Sequence, residues 1–232
     1  MSALLAPLAT GYGWAAGLRD YAYRSGWLNQ RRLNRPVISV GNLSAGGTGK
    51  TPIVAYLARL LLRRGFIPSI LTRGYGRSGG NSLIALDPAE SRAPDPREAG
   101  DEPALLAAAL PRVPIVVCAD RYKAGRFAEK RFGANVHLLD DGFQHLRLAR
   151  GLDIVALDVT QGLADRLVLP AGRLRERPSA LRRAEIVILT RSDLADPAHT
   201  LAQLDQVQTN ARIFRGGTRL AGFTEVATGR TL

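Results

Sequence analysis

Residues 37–52 read VISVGNLSAGGTGKTP, and no other stretch restricts the fold as tightly. Val37, Ile38, Ser39 and Val40 make a short run suited to a buried strand. Gly46, Gly47 and Gly49 follow, and from residue 51 Val54, Leu57, Leu60 and Leu61 recur at helical spacing. A strand that ends in a glycine-rich turn and passes straight into a helix opens a βαβ unit. The chain is therefore expected to build a mostly parallel sheet.

The rest of the sequence repeats that alternation. Apolar runs at 66–72, 113–118, 135–139, 153–157 and 186–190 read as further strands. Helical patterns lie at 51–64, 103–110, 121–132, 177–184 and 197–208. The expected fold class is α/β, a P-loop NTPase-like, mostly parallel sheet with helices on both faces. Residues 73–100, rich in Gly, Pro, Arg and Ser, read as one long loop, functional or mobile. Hydrophobic residues make up 46% of the chain, enough for a core of this size.

Residues 44–51, SAGGTGKT, end like the phosphate-binding motif G-x-x-x-x-G-K-[ST], with Ser44 where the first glycine is usual. The glycines let backbone N–H groups converge on phosphate oxygens, and the helix N-terminus favours an anion there. Ser44, Ala45, Gly46, Gly47, Thr48, Gly49, Lys50 and Thr51 are thus the expected nucleotide cradle. Lys50 is assigned to the β- and γ-phosphates and Thr51 to Mg²⁺. Pro52 falls in the first helical turn, where a missing N–H costs little. The G-G-x-G-K-T form resembles ParA/MinD-like NTPases, but Ala45 stands where those carry a signature lysine, which argues against a dimer-switching ATPase.

Such a loop needs a carboxylate at a neighbouring strand end. Asp140 and Asp141 supply a pair after the apolar run 136–139. Adjacent carboxylates repel unless a cation neutralises them, so both are expected near Mg²⁺. Asp141-Gly142 also suits a simple turn. Asp101, in GDEP, reads either as a helix cap or as the carboxylate that takes a proton from an acceptor hydroxyl. Of the three histidines, His137 and His199 read as ordinary core or turn residues, and His145 as a supporting residue near the Asp pair. One cysteine, Cys118, excludes an intrachain disulfide or a thiolate metal cluster.

The formal charge of +12 favours anionic partners. Nucleic acid is disfavoured, because the arginines are spread over many elements. No run reaches the roughly 20 apolar residues of a membrane span. Residues 1–35 stand apart from a nucleotide-binding domain at 36–232. There Leu4, Leu8, Tyr12, Ala15 and Leu18 recur at helical spacing, and Trp14 and Trp27 are interleaved with Arg19 and Arg24. This reads as an amphipathic helix on a membrane surface, or as a helix packed on its own domain.

Six segments in order resemble one family, the tetraacyldisaccharide 4'-kinases of lipid A synthesis. They are VISVGNLSAGGTGKTP (37–52), LTRGYGR (71–77), GDEP (100–103), ADRYKAG (119–125), LLDDGFQH (138–145) and LPAGRLRE (169–176). The resemblance implies transfer of the γ-phosphate of ATP to the 4'-hydroxyl of a lipid-linked glucosamine disaccharide 1-phosphate. It places the protein peripherally at the cytoplasmic face of the inner membrane. It implies ATP and Mg²⁺ as cofactors and assigns Lys50, Asp101 and Asp141 to catalysis. Thr51, Asp140 and Asp141 are assigned to the metal, and Arg73, Arg77, Arg121, Arg175 and Glu176 to phosphates or the glycolipid head. The family continues beyond FTEVATGRTL (223–232) into a C-terminal lobe with a histidine motif for the GDEP aspartate. The expectation is that residues 1–232 lack that lobe, so ATP binding is weakened and turnover impaired. The competing classes are a P-loop switch or metallochaperone NTPase and an inactive remnant. Acyl-chain preference and oligomeric state have no signature in the sequence.

Overall fold

A computed structural model of the chain describes residues 2–74, 82–90, 95–163 and 167–217, with side chains from residue 5 onward. Strands β1 (Val37–Gly41), β2 (Pro68–Thr72), β3 (Ile84–Leu86), β4 (Ile115–Val117), β5 (Val136–Asp140), β6 (Leu152–Asp158), β7 (Ile186–Thr190) and β8 (Arg212–Arg215) form one sheet. Their spatial order is β3-β4-β2-β5-β1-β6-β7-β8. All neighbours are parallel except β3 on β4. A parallel sheet is covered on both faces, so its strands read as continuous apolar runs. Every residue of β2, β4 and β5 is buried, which is why their sequences announce them.

The helices are α1 (Ser2–Arg24), α2 (Lys50–Arg63), α3 (Pro96–Ala99), α4 (Asp101–Ala109), α5 (Arg121–Phe132) and α6 (Ala198–Val207). Strand alternation decides which face each covers. Val40, Ile70, Leu138 and Ile154 meet Val54, Ala58 and Leu106 of α2 and α4. One residue along the strands, Val37, Leu71 and Leu139 meet Ala124 and Ala128 of α5. Val155, Leu157, Val187 and Leu189 pack with Leu204 and Val207 of α6 and with Ala9 of α1. Helices thus lie on both faces, as the alternation required.

Four elements depart from the sequence reading. Within 73–100, β3 and α3 replace part of the expected loop, while residues 75–81 and 91–94 lie outside the described residues. β3 is half-buried with one antiparallel partner, so its three residues give no strong apolar signal. β8, Arg-Ile-Phe-Arg, is exposed along its length and reads as polar. The helix expected at 177–184 is a six-residue 3-10 helix, Pro178–Arg183. A connection that short suits the tighter helix.

α1 lies against the domain along a narrow stripe of small residues that includes buried Ala9 and Gly13. A Cβ on Gly13 would meet Arg177 Nε at 3.0 Å. The bulky residues point away: Leu8, Trp14, Leu18 and Tyr21 are 64%, 67%, 63% and 57% exposed. Among the described residues no helix is long and apolar enough to cross a membrane. Arg183 ties the helix down. Its guanidinium lies 3.3 Å from Asp20, pairs with both Glu176 oxygens at 2.8 and 2.9 Å, and stacks over the Phe143 ring at 3.8 Å.

Candidate phosphate-binding and phosphotransfer site

The parallel strands bring the ends of β1, β2, β4, β5, β6 and β7 to one edge, where ligands of open α/β sheets bind. The glycine loop leaves β1 at the centre of that edge. Its entry is clamped by residues 173–175. Ala45 N donates to Arg173 O at 2.7 Å, and Arg175 N donates to Leu43 O at 2.7 Å. Ser44 forms an antiparallel bridge with Leu174, and its carbonyl accepts from Asn42 Nδ2 at 2.7 Å. Ser44 has no positive φ, so the position needs no glycine. That explains the departure from the consensus motif.

Gly46 and Gly49 do need to be glycines, with φ of 119° and 80°. Gly49 caps α2, and a Cβ there would meet Thr190 Cγ2 at 3.4 Å. The Thr190 hydroxyl lies 2.9 Å from Thr48 O, so the end of β7 braces the loop. Lys50 and Thr51 open α2 with their side chains at the mouth of the loop, Lys50 being 11% exposed.

The β5 end supplies the counter-charges. Asp141, in the left-handed region at φ 51°, receives Arg175 Nη1 at 3.0 and 2.8 Å and lies 3.6 Å from Lys50 Nζ. Burial acts to raise its pKa, but Lys50 and then Arg175 more than offset this and hold it below the usual carboxylate range. Asp140 is 1% exposed. Its carboxylate accepts from the Thr72 hydroxyl at 3.5 Å. Burial, then the Glu102 and Asp141 carboxylates, push its pKa up to about 7 against the pull of Lys50. Asp141 therefore ionises more readily than its neighbour Asp140. A buried carboxylate at the same sheet edge as Thr51, which opens α2, suits a divalent cation. No group of three or more His, Cys, Asp or Glu converges among the described residues. This suits Mg²⁺, which keeps waters and phosphate oxygens as ligands, better than a metal needing an all-protein cage.

Arg121, at the start of α5, is 5% exposed, with its pKa brought down to about 10 by burial and then by Arg73. The Asp141 and Asp140 charges oppose that shift, so Arg121 lies within their field. His145 is pushed down to about 4 by burial and then by Arg121 and Arg150, and is neutral at pH 7.

The structure therefore brings Lys50, Thr51, Asp140, Asp141, Arg121 and Arg175 to one edge. Asp101 begins α4 at that edge and is exposed, preceded by Gly100 at φ 98°. Its neighbour Glu102 is the carboxylate that acts on Asp140. Arg77 lies outside the described residues. Glu176 needs a correction as a ligand contact, because both its oxygens are taken by Arg183 and it is 4% exposed. His137 is a core residue, hydrogen-bonded to Ser69 Oγ at 2.8 Å. Sequence reasoning missed Asn42, Thr190, Glu102 and Arg173, whose Nη2 would lie 3.4 Å from a Cβ on Gly46. Asn42, Glu102 and Arg173 lie within the VISVGNLSAGGTGKTP, GDEP and LPAGRLRE segments, so the motifs could have exposed them, whereas Thr190 lies in none of the six.

A nucleotide-type phosphate loop at the edge of a doubly wound sheet, faced by Lys50, Asp140 and Asp141, defines a P-loop protein. Signal recognition particle receptor FtsY from Elizabethkingia anophelis shares the fold alone, at 14% identity and a TM-score of 0.50 over 81% of this chain and 59% of that one. The family model for tetraacyldisaccharide-1-P 4'-kinase (LpxK) matches residues 1–229, and the chain belongs to that family. It is 49% identical over 189 residues to the tetraacyldisaccharide 4'-kinase of Geobacter metallireducens, covering 82% of this chain and 56% of that protein. It is 41% identical over 228 residues to that of Anaeromyxobacter dehalogenans, covering 93% and 60%. The chain thus spans a little over half the length of these curated relatives. The crystal structure of LpxK from Aquifex aeolicus in complex with ATP superposes with a TM-score of 0.77 at 30% identity, over 98% of this chain and 86% of that one.

Proposed function

We propose that the protein is an ATP-dependent lipid kinase. It moves the γ-phosphate of ATP to the 4'-hydroxyl of a tetraacyldisaccharide 1-phosphate, giving lipid IVA and ADP. The observation that carries this reading is the Lys50–Asp141–Arg175 cluster set against a GGTGKT loop, with the buried Asp140 next to Asp141. Family membership and the ATP-bound relative support the choice of nucleotide.

In this reading the loop N–H groups and Lys50 hold the β- and γ-phosphates. Thr51 and Asp140 hold Mg²⁺, which when bound neutralises charge on the transferring phosphoryl group. Asp141 fixes Lys50 and Arg175 about the phosphates. Asp101 accepts the proton of the 4'-hydroxyl as its oxygen bonds to the γ-phosphorus and the bond to the ADP oxygen breaks. Arg73, Arg77 and Arg121 offset charge around the γ-phosphate. Residues 1–35 form the docking segment of a 36–232 kinase domain. The outward Leu8, Trp14 and Leu18 face suits the cytoplasmic surface of the inner membrane.

The test is transfer of ³²P from ATP to the tetraacyl disaccharide 1-phosphate in detergent micelles, paired with binding of a non-hydrolysable ATP analogue. Transfer that Lys50→Ala abolishes, with analogue binding weakened, is expected. Acceptor-independent hydrolysis with no labelled lipid overturns the kinase reading in favour of an NTPase.

A further inference from the structure

Asp141 carries its contacts on a strained backbone. It is not a glycine, yet it sits at φ 51°. An L-residue keeps that conformation only where its surroundings over-determine it. The next residue is pressed against the sheet: a Cβ on Gly142 would meet Leu139 Cγ at 2.6 Å and Ser39 Oγ at 2.7 Å. Gly142 N donates to Val40 O at 3.0 Å, so β1 holds the bend from one side. From there the chain runs outside any helix or strand until β6 begins at Leu152. What holds the bend from the other side is the treatment of the carbonyls that follow it.

Loop carbonyls ordinarily turn to water, because no ladder satisfies them. Here every carbonyl from Gly142 to Arg147 accepts from a protein donor. Arg150 Nη1 lies 3.5 Å from Gly142 O and 3.0 Å from His145 O. Arg183 Nη2 reaches Phe143 O at 3.0 Å, and Arg19 Nη2 of α1 reaches Gln144 O at 3.1 Å. Gln30 Nε2 reaches Leu146 O at 2.8 Å, and Arg31 N reaches Arg147 O at 2.8 Å. The Gln144 side chain returns a bond of 3.0 Å to Asn42 O, at the root of the phosphate loop. Two of these donors stand out. Arg150 is anchored in the interior, its side chain 6% exposed and its Nη2 3.0 Å from Asp153 of β6. Gln30 is neutral and exposed, and it belongs to the connection between α1 and β1.

We propose that Arg150 and Gln30 are positioning residues for phosphotransfer: they fix the backbone of residues 142–147, and through it hold the Asp141 carboxylate against Lys50 and Arg175. Neither residue touches the phosphate loop. Their effect passes through Asp141, whose carboxylate meets Arg175 at 2.8 and 3.0 Å and Lys50 at 3.6 Å. A drift of a few tenths of an ångström at its Cα loosens all three contacts, and misplaced groups lose rate steeply. The assignment rests on the kinase reading above. It also gives the connection after α1 a second task, since the segment read as a membrane anchor supplies part of the frame of the site.

The experiment compares the full chain with Gln30→Met and Arg150→Lys. Met matches Gln in length and has no donor; Lys keeps a cation for Asp153 and lacks the second nitrogen that reaches the loop. Amide hydrogen exchange read by mass spectrometry should be about fivefold faster over residues 141–148 in both variants and unchanged over β1 and α2. Tm should stay within about 4 °C of wild type. In the labelled transfer assay, kcat per folded molecule should fall about threefold for Gln30→Met and about tenfold for Arg150→Lys, with KM for ATP within about twofold. A purely structural role would lower Tm and leave the kcat of folded molecules unchanged, and that result overturns the proposal. So does unaltered exchange over 141–148, or a higher KM for ATP at wild-type kcat. If Arg150→Lys does not fold, Gln30→Met decides on the same readouts. Wild type that hydrolyses ATP and labels no lipid overturns the kinase reading alone, and the same losses of kcat in hydrolysis then uphold the positioning assignment; wild type without any turnover overturns both.

Discussion

Removing Glu176 should unfold the protein more easily rather than loosen a ligand. Its carboxylate is 5% exposed and takes two hydrogen bonds from Arg183, itself 10% exposed. The same guanidinium reaches Asp20 of α1 and Phe143 O at 3.0 Å, while its Nε has no partner. Glu176→Ala leaves that cation buried with Asp20, itself 20% exposed, as its remaining ion pair among the described residues. Breaking a buried pair from one side costs about 3–5 kcal/mol, because the remaining charge has lost its compensation. For a chain of this size each kcal/mol moves Tm by roughly 2–4 °C, so a fall of roughly 6–20 °C is expected. The assay is urea denaturation followed by circular dichroism, with Glu176→Ala, Arg183→Met and the double variant. The double variant should recover part of the loss, since no buried charge is then stranded. A loss under about 1 kcal/mol for Glu176→Ala, the scale of an exposed pair, would refute the reasoning, above all if acceptor binding fell instead.

Gly49→Ala should cost about 1–2 kcal/mol, from a left-handed backbone and a contact with Thr190, and should weaken binding of a fluorescent ATP analogue more than tenfold. Wild-type melting and binding would contradict the loop geometry. Asp140 should give a pH signature. With its pKa raised to about 7, the folded state keeps a proton that the unfolded chain sheds near 4. Its contribution to stability is complete below that lower pKa and is lost as pH rises through about 7. Buried neutral His145 acts with the opposite sign between its lowered value near 4 and its ordinary 6.5. The diagnostic is therefore the difference between Asp140→Asn and wild type, which should move in favour of the variant from pH 4 to pH 8 in chemical denaturation; a flat difference rejects it. Replacing Trp14, Leu18 and Trp27 together by Ser should leave Tm within about 2 °C and cut co-sedimentation with anionic phospholipid vesicles at least tenfold, since each exposed apolar side chain is worth roughly 1.5–3 kcal/mol when buried. Undiminished vesicle binding would show that α1 does not dock by this face.

Much of the sheet was legible because parallel strands are buried on both sides. Val37–Gly41 and Ile186–Thr190 announce themselves as short apolar runs for that reason. β3 and β8 are edge strands with half-buried or exposed residues, so composition gave no hold on them. α1 was legible as a helix, yet its recurrent apolar residues face outward, and the side that packs on the domain is built of small residues such as Ala9 and Gly13. Periodicity finds a stripe but cannot say which stripe meets protein.

The sequence by itself determined the phosphate loop and its partner carboxylates. Glycines at fixed spacing between a strand and a helix admit few backbones, and an Asp pair at a strand end must sit at the same edge of a parallel sheet. Tertiary structure alone decided the charge partners. Asp141 is held by Lys50 and Arg175, from segments 91 and 34 residues away in the chain, while Asp140 is left protonatable beside it. It also decided that Glu176 belongs to Arg183, and that Gln30 and Arg150 meet on one loop. Those outcomes depend on burial and on distances between remote segments, and no local pattern of residues encodes either.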